Sequence, residues 1–152
     1  METSVKKKDT PLGGVTLVGK ELIDYPGLLA KTSEILGNEK INIWGVTVAP
    51  DSMTYFIDED YIEQATKTLH EFVTKDETVV SVTSSKGIGL VYVTSADFLD
   101  EPGVLGKITG AIAEAGINIK EVTTSKSQIM VFMDYKNIDA VYEIMSLLFK
   151  KE

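Results

Sequence analysis

The sequence contains an internal duplication with an offset of 76 residues. At that offset, residues 13–76 align with residues 89–152 without a gap, and 16 of the 64 pairs are identical. A chain of ordinary composition would give about 4 identities by chance. The matches cluster, most densely where residues 26–31 align with residues 102–107. A gapless match of this length predicts two copies of one structural unit.

Each copy has the pattern strand, helix, strand, strand, helix. Alternating apolar residues predict the strands, and an apolar stripe at helical spacing predicts each helix. In the first copy we predict strands at residues 14–18, 41–48, 53–58 and 78–83, with helices near 28–36 and 62–72; in the second copy, strands at 90–94, 117–124 and 128–134, with helices near 104–112 and 138–148. The order βαββαβ is that of the ferredoxin-like α+β sandwich, an antiparallel sheet with both helices on one face.

The duplication predicts two domains, residues 12–84 and residues 85–152. The second copy reaches Glu152 without the fourth strand that follows the first copy. Its sheet would then have an unpaired edge, which proteins usually cover. Residues 1–11 are predicted either to supply that extra edge strand or to form a disordered terminus.

Composition excludes several classes of function. No run approaches the roughly 20 apolar residues of a membrane span, and a net charge of −8 argues against nucleic acid. With no cysteine, a cytoplasmic location is the expectation. All 15 basic residues are lysines. A ligand carboxylate would therefore be held by lysine, hydroxyl, amide or backbone N–H groups, without a guanidinium fork.

The sequence predicts no enzyme, cofactor or metal site. The single histidine, His70, lies in an amphipathic helix beside Glu71, where a helix-surface role is expected. No nucleophile and base share a catalytic spacing, and no phosphate-binding loop is present. Other functions of this fold also lack their residues, since acylphosphatase-like chemistry needs arginine and metal carriage needs cysteine pairs.

A loop between the first strand and the first helix occurs in both copies. It reads Asp-Tyr-Pro-Gly at residues 24–27 and Asp-Glu-Pro-Gly at residues 100–103. We expect Asp24 and Asp100 to cap the helices and the prolines to lie in the first turn. Backbone N–H groups there could bind a carboxylate, and the aspartate could accept from an ammonium group. The alternative is that the motif only caps a helix.

These motifs resemble the ACT domain, a module that binds amino acids and regulates enzymes. The resemblance rests on Pro-Gly-x-Leu/Val, an amphipathic helix, and Ile-Asn-Ile some fourteen residues further on. Residues 116–119 and 124–131 resemble the last ACT unit of aspartokinases, and residues 138–149 its closing helix. Residues 65–72 are similar to another aspartokinase ACT helix. The resemblance covers nearly all of the chain beyond about Leu12.

The resemblance implies a non-catalytic feedback sensor for an aspartate-family amino acid, lysine or threonine. In aspartokinases the effector lies between the strand–helix loop of one ACT unit and the Asn-Ile of another. By position, one site comprises Asp24, Gly27, Leu28 and Leu29 with Asn118 and Ile119; its pseudo-symmetric counterpart comprises Asp100, Gly103, Val104 and Leu105 with Asn42 and Ile43. Both asparagines also suit a turn that enters a strand. Val48 replaces a polar effector-contacting residue of some aspartokinases, which leaves the specificity open.

The resemblance also implies partners: a free amino acid, a second copy in a homodimer, and an aspartokinase catalytic subunit. A kinase domain would precede these repeats, so the chain is either a separate regulatory subunit or a regulatory fragment. Two alternatives stay open. One is a ligand-free assembly module with the same fold, and the other is a regulatory subunit of another amino-acid pathway, such as acetolactate synthase.

Overall fold

The computed structural model describes residues 3–96 and 101–150. The chain divides into two compact units, Leu12–Lys86 and Met1–Pro11 with Gly87–Glu152, which we call the first and second units. The boundary between the units lies after residue 86, whereas the sequence analysis placed it after residue 84. The elements are β1 (Ser4–Lys7), β2 (Leu12–Gly19), α1 (Leu28–Asn38), β3 (Ile43–Val48), β4 (Ser52–Asp58), α2 (Ile62–Val73), β5 (Val79–Thr94), α3 (Val104–Glu114), β6 (Ile119–Thr124), β7 (Gln128–Asp134) and α4 (Ile138–Leu148).

The first unit is a sheet with the strand order β3-β4-β2-β5, covered by α1 and α2. The β2–β4 and β3–β4 pairs are antiparallel. Side chains from both helices and the sheet form one core, in which Leu17, Leu36 and Leu69 are fully buried. Alternate strand residues point to one face, and residues four apart on a helix share a face, so this pattern buries both sets together.

The second unit repeats this arrangement with the strand order β6-β7-β5-β1, covered by α3 and α4. The strand β1 pairs antiparallel with β5, with Ser4 opposite Thr94. Val5 packs against the core of this unit, and the Lys7 ammonium lies 2.6 Å from Asp139 on α4. Residues 1–11 therefore belong to the second unit, and β1 occupies the edge of its sheet that the sequence left unpaired.

The two units together confirm the predicted α+β fold of two ferredoxin-like repeats, with antiparallel pairing and helices on one face of each sheet. One element differs from the prediction. Residues 78–83 and 90–94 were predicted as separate strands, but β5 is one strand of 16 residues. The small polar run between them resembles a linker, yet each half of β5 lies in the sheet of its own unit, and Gly87, at φ 71°, lies between the halves.

Candidate functional site

The loop before α1 ends in a tight turn from Tyr25 to Leu28. The Leu28 N–H donates to the Tyr25 carbonyl at 3.3 Å, and Gly27 has φ 81° and ψ 0°. These are the angles of the third residue of a type II turn, with Pro26 in the second position, where proline is favoured. Glycine is required at the third position because other residues are strained at positive φ. The Pro-Gly pair thus forms a turn in front of the helix.

The predicted helix caps are wrong in the first unit. Helix α1 begins at Leu28, its N-cap residue is Gly27, and no side chain caps it. Asp24 lies upstream in a short 3-10 turn, where its own N–H donates to the Glu21 carbonyl. Pro26 precedes the helix because it occupies the turn. The N–H groups of the first helical turn therefore have no side-chain cap.

The predicted contact residues around this turn divide into exposed and buried ones. Asp24 and Gly27 are exposed, and the Leu29 side chain is 46% exposed. Leu28 is only 2% exposed and belongs to the core, so its side chain faces away from any ligand. A Cβ added at Gly27 would meet no atom within 4 Å. The turn is therefore open to a molecule that approaches the backbone.

A cavity of about 370 Å³ lies beside this loop in the first unit. It is lined by Lys20, Glu21, Asp24, Tyr25, Pro26 and Thr78. The cavity carries one ammonium group and two carboxylates, so both charges of a zwitterion have a complement there. Gly27 and Leu29 lie outside its lining.

The second unit forms the same turn with other side chains. Gly103, the N-cap of α3, has φ 94° and ψ −1°, and no side chain among the described residues caps this helix. Val104 is 7% exposed and belongs to the core, whereas Leu105 is 37% exposed. Space around Gly103 is open, as it is at Gly27. Asp100, the other predicted residue, lies outside the described residues.

The Asn-Ile pairs begin the edge strands β3 and β6. Asn42 and Asn118 are exposed, and the isoleucines that follow them, Ile43 and Ile119, are half-buried and pack against their cores. Each strand has a register shift just after its isoleucine, which indicates a β-bulge at the same place in both repeats.

Strand register separates each Asn-Ile pair from the turn of its own unit. Ile43 and Gly13 both pair with Ile57, at the end of the sheet where β2 begins. The loop to α1 follows the other end of β2, where Val18 pairs with Ser52. Five residues of strand separate these ends, roughly 17 Å at about 3.3 Å per residue. One unit therefore does not bring Asn42 next to Gly27, and the second unit has the same register.

A buried polar network beneath the start of α1 was not predicted from the sequence. Tyr55 on β4 is fully buried, and its hydroxyl lies 2.6 Å from Thr32 Oγ1 and 3.0 Å from Ser33 Oγ. The Thr32 hydroxyl donates to the Leu28 carbonyl at 2.8 Å, and the Tyr55 hydroxyl reaches the Leu29 carbonyl at 3.3 Å. The alignment of the two repeats carried a signal for this network, because a valine, Val131, stands at the position where the first repeat has the hydroxyl-bearing Tyr55.

A second hydrogen bond holds the loop from the side. The Tyr25 hydroxyl donates to Asp76 Oδ2 at 2.5 Å, across 51 residues of sequence. Asp76 Oδ1 accepts from the backbone N–H groups of Thr78 at 2.8 Å and Val79 at 2.9 Å. Partial burial alone would raise the pKa of Asp76, but the bonds from Tyr25 and these amides, with the charge of Lys31, together lower it. The carboxylate therefore stays ionised and accepts three hydrogen bonds.

Neither a metal site nor a membrane helix is found in the described part of the chain. No group of three or more histidine, cysteine or acidic side chains is placed to hold a metal ion there. Within residues 3–96 and 101–150, no helix is long and apolar enough to cross a bilayer. His70 is an exposed residue of α2, as its position in the helix predicted.

The repeated fold matches known proteins. The ACT-domain family model matches residues 11–71 and 79–146, so the chain belongs to the ACT-domain family. The two matches together occupy most of the 152 residues.

Aspartokinases recur among the similar proteins. An aspartokinase of Geobacillus stearothermophilus is 33% identical over 63 residues, which are 41% of this chain and 16% of that enzyme. The regulatory subunit of aspartate kinase from Thermus thermophilus, in its ligand-free form, has a TM-score of 0.81 at 21% identity, covering 97% of each chain. Aspartate kinase of Clostridium acetobutylicum has a TM-score of 0.84 at 16% identity, covering 97% of this chain and 34% of that one. The predicted resemblance to aspartokinase regulatory regions is confirmed at the level of the fold.

Proposed function

We propose that this chain binds a free amino acid, with lysine and threonine the favoured candidates, and so provides feedback control of an aspartokinase or a related biosynthetic enzyme. The observation that supports this most strongly is the uncapped, open helix start at Gly27, next to Asp24. Helix starts are often capped by a serine, threonine, aspartate or asparagine side chain, but the N-cap of α1 is a glycine and makes no such bond. Here those groups are left available at the surface.

The amino-acid carboxylate would bind at the start of α1. The N–H groups of Leu29 and Ala30 have no acceptor within the helix, and the helix dipole makes this end positive. Such a site suits this protein because it has no arginine for a bidentate contact. Asp24 would accept hydrogen bonds from the ligand ammonium group, with the cavity beside it leaving room for that group.

The second half of the site would come from another ACT unit. Since Asn42 lies at the far end of its own sheet, the turn at Gly27 needs an Asn-Ile pair from elsewhere, and Asn118 with Ile119 are the predicted residues. We propose a homodimer as the assembly that completes the sites. Val48 is 43% exposed at the same end of the sheet as the turn, where an apolar side chain would contact the ligand side chain.

An aspartokinase catalytic subunit is the proposed target of regulation. The support is the aspartokinase match and the fold shared with the regulatory subunit from Thermus thermophilus. Amino-acid binding would then shift the conformational equilibrium of the partner enzyme. The size of the shift would depend on how much more tightly the effector binds one conformation than the other.

Isothermal titration calorimetry with lysine and threonine tests the binding proposal. We expect a dissociation constant between micromolar and millimolar, on the order of −8 to −4 kcal/mol. Asp24→Asn should weaken binding about tenfold or more, because the hydrogen-bond acceptor for the ligand ammonium group loses its negative charge. Gly27→Ala should weaken binding by straining the turn, and Gly103→Ala is the matched control for the other repeat.

The pattern of results locates the site. If Gly103→Ala weakens binding and Gly27→Ala does not, the second unit holds the principal site. If wild-type protein binds none of the twenty amino acids, the sensor proposal fails in favour of an assembly module with ligand-free loops.

A further inference from the structure

Tyr25 holds the loop before α1 in two ways. Its carbonyl accepts the N–H of Leu28 and so closes the turn, while its hydroxyl donates to Asp76 at 2.5 Å. Pro26 and Gly27, the two central residues of the turn, are exposed. The side chain of Tyr25 therefore links the outer side of this turn to a distant part of the first unit.

The anchor at the other end of this link is itself well fixed. Besides accepting from Tyr25, Asp76 accepts from the N–H groups of Thr78 and Val79, where β5 begins. Its own N–H donates to the Val73 carbonyl at the end of α2. Asp76 thus joins α2 to β5 whether or not Tyr25 is bonded to it. The loop is therefore bonded to a residue that makes three further hydrogen bonds to the scaffold.

We propose that Tyr25 is a positioning residue for the amino-acid site: its hydrogen bond to Asp76 holds the turn from Tyr25 to Leu28 in the conformation that presents the start of α1 to a ligand. The inference rests on the proposed function, since it assigns a role at that site. Tyr25 need not touch the ligand carboxylate. It acts through the backbone of the turn.

The energetic reason is pre-organisation. Fixing a backbone residue costs conformational entropy, and this turn contains a glycine, the residue with the most freedom to lose. When the turn is already fixed in the free protein, ligand binding does not have to offset this entropy loss. If the competent conformation is only a tenth populated without the hydrogen bond, the apparent affinity falls about tenfold.

The second repeat lacks this device. The residue that aligns with Tyr25 is Glu101, which has no hydroxyl to donate. The fold can therefore form an ACT unit without the Tyr25–Asp76 bond. A hydrogen bond that the fold does not require, placed at the loop proposed to bind the ligand, is better explained by the binding site than by folding.

Tyr25→Phe is the direct test, because it removes one oxygen and leaves the bonds of Asp76 to Thr78 and Val79 in place. Tyr61→Phe is the matched control, since Tyr61 is 39% exposed and lies outside the loop. We expect Tyr25→Phe to weaken lysine or threonine binding about tenfold in calorimetry. Its melting temperature should stay within about 2 °C of wild type, since a half-exposed hydrogen bond contributes little to stability.

A measurement without ligand separates this inference from the proposed function. Amide hydrogen exchange at Leu28 and Lys31, whose N–H groups donate to Tyr25 and Gly27, should become several-fold faster in Tyr25→Phe and unchanged in Tyr61→Phe. If wild type binds no amino acid, the proposed function fails, and with it the role of Tyr25 in binding, while the exchange rates still show whether the bond holds the turn. Unchanged exchange and unchanged affinity in Tyr25→Phe would overturn the inference. Should Tyr25→Phe fold poorly, Asp76→Asn, which weakens the acceptor, must show the same two changes.

Discussion

The two units have the same fold but differ in the polarity around the helix start. In the first unit, Tyr55, Thr32 and Ser33 form a hydrogen-bonded group beneath α1. The aligned residues of the second unit include Val131 and Ile108, which are fully buried and apolar. The main apolar pattern is shared, so the fold does not depend on this polar group.

This difference indicates where the two repeats have diverged. A buried hydroxyl is costly unless it is bonded, and it stabilises little more than a well-packed apolar group would. Tyr55 and Tyr25 both act on the few residues at the start of α1, and neither is repeated in the second unit. We infer that the first unit is the one specialised at this loop, and that the second keeps the plain scaffold.

The largest expected effect comes from removing β1. Deleting residues 1–9 removes the strand pairing with β5, the packing of Val5 and the contact of Lys7 with Asp139. Loss of one packed valine and several hydrogen bonds should cost the second unit about 3 kcal/mol or more. Hydrogen exchange should reveal faster opening in α3 and α4 and little change in α1 and α2. Equal changes in both units would contradict this assignment of β1.

A smaller effect is expected from the Tyr55 network. Tyr55→Phe should destabilise the protein by about 1–2 kcal/mol, because Thr32 and Ser33 lose a partner. Adding Thr32→Val should cost less than the sum of the two single changes, with a coupling of about 1 kcal/mol. Denaturant unfolding of the four proteins measures the coupling. Strict additivity would mean that the hydroxyls act independently.

Two matched glycine variants test whether the turns are equivalent. Gly27→Ala and Gly103→Ala should each cost about 1–2 kcal/mol, because alanine is strained at φ 81° or 94° although the space is open. Thermal unfolding should therefore show similar losses for both. Only the calorimetric affinity should separate them, with Gly27→Ala more affected. A cost at one glycine alone would show that the two turns are not held alike.

The smallest expected effect is the pH dependence of the Asp76 contact. Its folded pKa lies below the ordinary value of 3.8, so the contribution to stability is present above about pH 4 and is lost as the pH falls through the folded pKa. Tyr25→Phe should raise the pKa of Asp76 by removing a donor to the carboxylate. Carboxyl NMR titration of the two proteins measures this difference. An unchanged pKa would mean that the amides of Thr78 and Val79 suffice.

Most of the fold followed from the repeat and from hydrophobic periodicity, because strand and helix faces are local patterns. The wrong predictions arose where one local sequence pattern is compatible with two different structures. Asp24 and Pro26 were predicted as cap and first turn, yet the Pro-Gly pair also suits the type II turn that forms. Residues 78–83 and 90–94 were predicted as two separate strands, yet nearly all of them lie in the single strand β5.

The site was less predictable than the fold. Gly27 and Leu29 could be named from the motif because the motif is local, and both lie exposed at the turn. The Tyr25–Asp76 bond joins residues 51 apart, and no periodicity indicates such a contact. Leu28 was carried over with the motif, although its side chain belongs to the core. Only the three-dimensional structure distinguishes a residue that can offer a ligand its backbone alone from a residue that can also offer its side chain.

Amino-acid binding by this protein is tested by the melting temperature of the wild type with each of the twenty amino acids at ~10 mM. A ligand at 100-fold over its dissociation constant stabilises the folded state by about 2.7 kcal/mol. For a chain of 152 residues this corresponds to a rise of about 5 °C or more. We predict such a rise for lysine or threonine and a smaller one in Asp24→Asn. No rise with any amino acid would contradict the proposal that this ACT protein is an amino-acid sensor.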